Sequence, residues 1–249
     1  MTLHTQIRQA MVMAAGLGTR LRPLTLDTPK PLLPISDTKI CCLSLALNHL
    51  HHLAFDRIVV NAYYLPEAIE AYVRAHYPNV IISRETEPLE TGGGILHALR
   101  HFEENAPLLI INGDTYVSNL SNTFGLDMLA HFNFETDDVL LGVSLKEKGI
   151  GFLGAGDYEL NDRTLSYRPN GISAPYVFMG YRVLMPTFMR QSGEEIRAIK
   201  GNKFSLKDCF DIAESNGRLA GLCFDGTWCD LSTVETLNAL KSHINALRS

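Results

Sequence analysis

Short apolar runs alternate with stretches of helical period along the first half of the chain. Ala10–Ala14 is an apolar run and predicts a buried strand. Residues 40–53 carry Leu43, Leu47 and Leu50 on one helical face. Residues 57–61, with Ile58, Val59 and Val60, read as a second strand. Pro66 opens a helix with Ile69, Tyr72 and Val73 facing one way, because proline at the first helical turn loses no needed N–H. Val80–Ile82 gives a third strand. A helix opens at Glu90 with Leu96, Leu99 and Phe102 inward. Residues 107–111 give a fourth strand, which ends in Asn112, Gly113 and Asp114.

Strand and helix alternating in this way predict an α/β chain with a mostly parallel sheet. Crossovers between parallel strands are right-handed, and ligands sit beyond the carboxyl ends of the strands. Three features fall at or beyond those ends: the loop with Gly16 and Gly18, the Gly92–Gly94 turn, and Asp114. After Asp114 the pattern loosens. Strands are expected at 138–145, 176–184 and 219–224, hairpins across 149–162, and helices at 205–214 and 233–247, the last with Leu237, Leu240, Ile244 and Leu247. No repeat or linker divides the chain. It reads as one domain over 1–249, with a part at about 8–145 and an inserted region at about 146–216.

Composition narrows the function. Of 249 residues, 22 are basic and 27 acidic, so the net charge of −5 gives no case for nucleic-acid binding. Basic residues gather at Arg20, Arg22 and Lys30, a spacing that suits a small anion. No apolar run reaches membrane-span length, and the N-terminus lacks the apolar core of a secretory signal. Five cysteines with no C-x-x-C pair read as buried free thiols, and the protein is expected to be cytoplasmic with no membrane partner.

The candidate chemistry starts in the first loop. Gly16 and Gly18 allow backbone to approach a ligand, and successive loop N–H groups can hold an anion. An ordinary glycine turn beside solvated arginines fits the same residues. Neither the Walker pattern nor G-x-G-x-x-G is complete, since Leu21 stands at the third glycine. Asp114 and Asp230 each follow an apolar stretch. Together they suit Mg²⁺, which takes one or two carboxylates plus phosphate oxygens. Singly, each reads equally as a turn or helix-cap aspartate, and Ser232 is an alternative cap that would leave Asp230 free. His97 and His101 are spaced i, i+4 but lack a third ligand, and no metal role is assigned to them. His49, His51 and His52 read as a solvated helix end, and Trp228 as core or site wall.

Residues 13–25 and 29–34 resemble the signature of the sugar-1-phosphate nucleotidyltransferases, A-A-G-x-G-T-R-L-x-P-L-T followed by P-K-P-L-x-P. Residues 87–95 are similar to the family's second motif, in a form shared by uridylyl- and guanylyltransferases. Asn112–Asp114 resembles the metal-aspartate motif, 226–230 the late W-x-D motif, and 178–181 the sugar-side F-x-G segment. The resemblance covers nearly the whole chain. It implies a three-layer, Rossmann-like (glycosyltransferase-A-like) fold with a mixed, mostly parallel central sheet, and places the sugar side in the 146–216 region.

It also implies the reaction. A nucleoside triphosphate, UTP favoured and GTP the alternative, reacts with a sugar 1-phosphate to give a nucleotide-sugar and pyrophosphate. The nucleotide would lie on Ala14, Ala15, Gly16, Gly18, Thr19, Arg20, Glu87, Thr91, Gly92 and Gly93. Arg20 and Lys30 would be catalytic, on the leaving and reacting phosphates. Asn112, Phe178 and Gly180 would hold the sugar, and Asp114 and Asp230 the Mg²⁺. Two departures concern the sugar more than the reaction. Ser232 stands where the late motif has glycine, and Tyr167-Arg168-Pro169 stands where relatives have E-K-P, so Arg168 is a candidate for that lysine's place. A catalytically silent nucleotide-sugar sensor and a choline-phosphate cytidylyltransferase are the other readings. Monomer and homo-oligomer are left open.

Overall fold

The computed structural model describes residues 7–118, 123–169 and 172–247. In chain order the elements are β1 (Gln9–Met13), α1 (Cys42–His52), β2 (Arg57–Ala62), α2 (Pro66–His76), β3 (Ile81–Arg84), α3 (Glu90–Ala98), β4 (Leu108–Asn112) and β5 (Thr115–Val117). There follow α4 (Phe124–His131), β6 (Val139–Leu145), β7 (Tyr158–Asn161), β8 (Thr164–Tyr167), β9 (Tyr176–Leu184), α5 (Pro186–Lys200), α6 (Lys207–Ser215), β10 (Leu219–Cys223), β11 (Trp228–Asp230) and α7 (Val234–Ala246).

Nine strands form one sheet in the order β3-β2-β1-β4-β9-β6-β10-β8-β7. Pairing makes β8 and β9 run against the other seven strands, so the sheet is mixed and mostly parallel in direction. Side chains alternate faces, as the strand period of two requires. Ala10, Val12, Ile58, Val60, Leu109 and Ile111 meet the helices α1, α2 and α4. Met11, Val59, Leu108 and Ile110 meet α3, α5 and α6 on the other face. These are the three layers expected. The 146–216 region is woven into them: β9 lies between β4 and β6 near the middle of the sheet.

A third, smaller core joins distant parts of the chain. Leu21, Leu33 and Ile35 pack with Cys42 and Leu45 of α1, Tyr116 of β5, Cys229 and Leu231, and Leu237 and Leu240 of α7. The loop carrying Arg20 and Lys30 is therefore pinned by its own apolar residues.

The structure revises several expectations. His49 is buried rather than part of a solvated helix end, because it faces inward on α1. Cys223 is exposed, while the other four thiols are buried and all five are free. The cap of α7 is Thr233 rather than Ser232. Its hydroxyl accepts from the Thr236 N–H at 3.3 Å, and its own N–H donates to the Thr236 hydroxyl at 3.0 Å. No helix among the described residues is long and apolar enough to cross a membrane.

The three glycines 92–94 lie inside the first turns of α3 and are explained by packing. A Cβ on Gly92 would meet the Phe204 ring at 2.4 Å, one on Gly93 the Asn202 carbonyl oxygen at 2.1 Å, and one on Gly94 the Glu85 carboxylate at 2.6 Å. Gly93→Ala is thus expected to destabilise the fold by about 1–3 kcal/mol, since backbone must move to admit the methyl. The midpoint of urea unfolding measures it, and an unchanged midpoint would refute the packing argument.

Candidate active site

The site lies where the parallel strands end. Met13 and Asn112 are paired at the tips of β1 and β4, and the Gly113 N–H donates to the Met13 carbonyl at 2.8 Å. A Cβ at Gly113 would come within 2.8 Å of that same oxygen, so glycine is required for the close approach. Directly after it comes Asp114. The short ribbon β5–β11 pairs Thr115 with Asp230, and the Leu231 N–H donates to the Asp114 carbonyl at 3.1 Å. Two aspartates over a hundred positions apart are thereby placed side by side by backbone pairing.

Lys30 completes this centre through an ion pair with Asp114. Burial works against the charge on Lys30, but the Asp114 and Asp230 carboxylates overcome it, so its pKa ends above the ordinary lysine value. Arg20 opposes that rise weakly. The Asp230 pKa is raised as well, which for a carboxylate disfavours the charged form. Burial and the neighbouring Asp114 push it up to about 6, against the pull of Lys30 and Arg20. Two crowded carboxylates short of positive charge form a hard-oxygen donor set of the kind Mg²⁺ takes.

Three cavities meet at Asn112. The first, about 460 Å³, is lined by Ala15, Gly16 and Leu17, by Asn61, Tyr63 and Glu85, and by Leu89–Thr91, Lys203 and Ser205, with Asp114 at its inner end. Gly16 has open space where a side chain would be, so backbone there is bare to a ligand. Gly18 has φ +60° and its carbonyl accepts from the Thr25 hydroxyl at 2.8 Å, so this glycine sets the turn. The second cavity, about 320 Å³, lies among β7, β8, β9 and the start of α6. The third, about 670 Å³, holds Arg20, Asp230, Phe178, Gly180 and Trp228.

The sequence-derived residues sort as follows. Ala15, Gly16, Thr91, Asn112 and Asp114 line the first cavity. Ala14 is buried beneath it. Thr19 is exposed, opening a short 3-10 turn with Arg20, and Arg20 lies on the Asp230 side. Phe178 and Gly180 line the third cavity with Asn112. Gly180 sits in a bulge of β9 with φ +86°, where a Cβ would come 2.6 Å from the Thr115 hydroxyl. Gly92 packs on Phe204. Glu87 and Gly93 lie apart, in a small cavity with Asn202, whose amide donates to Glu87 at 2.9 Å. Arg168 pairs with Glu159 at 3.8 Å and lines none of the three cavities.

Sequence reasoning missed Asn61 and Glu85. The Asn61 side chain accepts from the Ala14 N–H at 2.7 Å and donates to Glu85 at 2.7 Å, all of it buried. Burial raises the Glu85 carboxyl, against hydrogen bonds from Asn61 and the Leu89 N–H. One polar residue in the apolar run of β2 was the available signal. Asn61→Ala leaves the Ala14 N–H unsatisfied and takes one of two hydrogen-bond donors from Glu85. It is expected to cost about 1–3 kcal/mol and to raise KM for the nucleotide, measured by thermal unfolding and initial rates. A stability loss without a KM change would show that the network does not serve the loop.

The family model for nucleotidyl transferases matches residues 9–246, and the chain belongs to that family. Within it, sequence groups the chain with sugar-1-phosphate nucleotidyltransferases. It is 31% identical over 226 residues to the N-acetylmuramate alpha-1-phosphate uridylyltransferase of Caulobacter vibrioides, covering 88% of this chain and 89% of that one. It is 35% identical over 143 residues to the D-glycero-alpha-D-manno-heptose 1-phosphate guanylyltransferase of Aneurinibacillus thermoaerophilus, covering 56% of this chain and 59% of that one. A UDP-glucose pyrophosphorylase solved with UDP-glucose has the same fold, with TM-score 0.74 at 17% identity over 96% of this chain and 99% of that one.

Proposed function

We propose that this chain transfers a uridylyl group from UTP to N-acetylmuramate 1-phosphate in the cytoplasm, as a step of peptidoglycan recycling. The observation that carries nucleotidyl transfer is Lys30 set against Asp114 and Asp230 where the cavities meet. The choice of sugar rests on the near full-length match to the Caulobacter vibrioides uridylyltransferase. Four buried free thiols support a reducing compartment.

UTP lies in the first cavity, its base toward Glu85 and Thr91 and its phosphates along Ala15 and Gly16. The sugar 1-phosphate approaches from the third cavity past Asn112, Phe178 and Gly180. A phosphate oxygen of the sugar attacks the α-phosphorus, the bond from that phosphorus to the bridging oxygen breaks, and pyrophosphate leaves. The attacking phosphate is already anionic near neutral pH, so no side chain need remove a proton. Lys30 holds the α-phosphate against the incoming phosphate, and Arg20 takes the charge growing on pyrophosphate with its planar fork. Asp114 and Asp230 would hold Mg²⁺, which supplies charge neutralisation and alignment for the phosphates when bound.

The second reading is GTP with a mannose- or heptose-type sugar 1-phosphate, favoured by the local match to the heptose guanylyltransferase. Pyrophosphate release from UTP, GTP and CTP against a panel of sugar 1-phosphates, with Mg²⁺, separates the two. Turnover of UTP with N-acetylmuramate 1-phosphate is expected. Preference for GTP with a neutral sugar would replace this reading with the second. Silence with every pair would point to a nucleotide-sugar sensor.

A further inference from the structure

The second cavity holds a cation that the nucleotidyl-transfer scheme does not use. Arg182 lies in β9, in a strand otherwise rich in apolar residues, and is only 1% exposed. It forms no ion pair among the described residues. Its Nη1 donates to the Asn112 side chain at 2.5 Å and points at the Gly180 carbonyl at 3.4 Å. Its Nε and Nη2 are buried and have no partner among the described residues. Those two N–H groups share one edge of the guanidinium, and they lie parallel at the spacing of two carboxylate oxygens.

A buried guanidinium with three of its five N–H donors unpartnered by protein is costly, and an acid reaching that edge would relieve the cost. Burial alone pulls the Arg182 pKa down to about 9, with only Asp114 opposing. Of the other charged groups around the cavity, Lys207 is ion-paired and Asp157 is hydrogen-bonded. Lys207 pairs with Asp211 and lies 3.9 Å above the Tyr167 ring. Asp157 accepts the Phe178 N–H at 3.0 Å, and burial raises its pKa against the pull of Lys207. Arg182 therefore leaves a positive charge at the floor of a cavity walled by Phe178, Phe210, Tyr158 and Tyr167. That cavity shares Asn112, Asp157 and Phe178 with the third one, where the sugar is expected.

We infer that Arg182 is a specificity-determining residue that receives a carboxylate carried by the sugar itself, two-pronged on its Nε–Nη2 edge. The inference rests on the proposed muramyl substrate, whose lactyl ether at the sugar ring ends in such a carboxylate. The arm enters between the aromatic walls, while the 1-phosphate stays at Lys30. Asn112 links the two events, since it borders all three cavities and holds Arg182 in place.

The test compares kcat/KM for N-acetylmuramate 1-phosphate, glucuronate 1-phosphate and N-acetylglucosamine 1-phosphate, which lacks the acid, with UTP and Mg²⁺ in the full chain. The wild type is expected to prefer an acid-bearing sugar. Arg182→Met is expected to lower the acid-to-neutral ratio by about 10- to 100-fold, chiefly through KM, the loss typical of a charge-assisted pair. Arg182→Lys keeps the charge without the fork and is expected to give an intermediate ratio, and it serves if the methionine variant does not fold. Equal losses on acid and neutral sugars, or a wild type indifferent to the acid, would overturn the inference. Turnover of the muramyl substrate with a ratio that Arg182→Met leaves unmoved would refute Arg182 and spare the muramyl reading. Preference for glucuronate 1-phosphate over the muramyl substrate, lost in Arg182→Met, would do the reverse.

Discussion

Lys30→Met is expected to lower kcat/KM for pyrophosphate release by roughly 10²–10³-fold, the scale seen when one preorganised donor to a developing charge is removed. The same change should alter stability in a way that depends on added metal. Lys30 is ion-paired with Asp114 and is the cation that acts most on Asp230, and its loss leaves two carboxylates facing each other. Without metal the variant should lose on the order of 3–5 kcal/mol. Mg²⁺ should restore more stability to the variant than to the wild type, because it replaces a charge only the variant lacks. Thermal unfolding with and without Mg²⁺, beside initial rates, measures both. Full activity in the variant would remove Lys30 from the catalytic centre.

Asp230→Asn is expected to separate stability from activity. The Asp230 pKa in the folded chain lies above its ordinary value of 3.8, at about 6, because of burial and Asp114. Between these values the folded state binds more protons than the unfolded one, so stability falls as pH rises through that window. Removing the carboxylate removes the penalty. The metal-free variant should therefore be more stable than the wild type at pH 8, by on the order of 1–3 kcal/mol, and equal to it below pH 4. Its activity should fall by at least about 100-fold, the loss expected where an electrostatic group is aimed at the transition state. Chemical unfolding at the two pH values is the direct measurement. A variant less stable at pH 8 would show that Asp230 is held by attractions the charge pattern does not include.

Much of the fold was legible because its elements are long and their apolar periods clean. The runs in β1, β2 and β4 are buried on both faces, so they read as continuous apolar segments. Helix α5 was not legible, although it has 15 residues. Its inner face is Met189, Ser192, Gly193 and Ile196, and the small residues are there because Gly193 packs on Leu96. A stripe of serine and glycine carries no apolar signal. The strands β5 and β11 have three residues each, too short for any period.

The site shows the same division. Arg20, Lys30, Asp114 and Asp230 were read from loop chemistry, and backbone pairing brings the two aspartates together. Gly92 and Gly93 in α3 were expected to hold the nucleotide. With Gly94 they also pack closely on Phe204, Asn202 and Glu85, contacts between segments that no local pattern reveals. Asn61 and Arg182 each left a trace, a polar or charged residue inside an apolar strand. Such a residue has to be satisfied by something, and only the three-dimensional arrangement says by what.

The small third core also bears on when the site can exist during synthesis. It ties Leu21, Leu33 and Ile35, near the beginning, to Cys229, Leu231, Leu237 and Leu240, near the end. Closing a loop of that length carries a large entropic cost, which local contacts cannot offset early. Strands β1 to β4 lie within the first half of the chain and can pair while the rest is still being made. Asp230 cannot join Asp114 until β11 has left the ribosome and docked on β5. A nascent chain stalled before Trp228 would hold much of the nucleotide cavity but lack its second carboxylate. Catalytic competence is therefore gained in a single late event, after most of the sheet has formed.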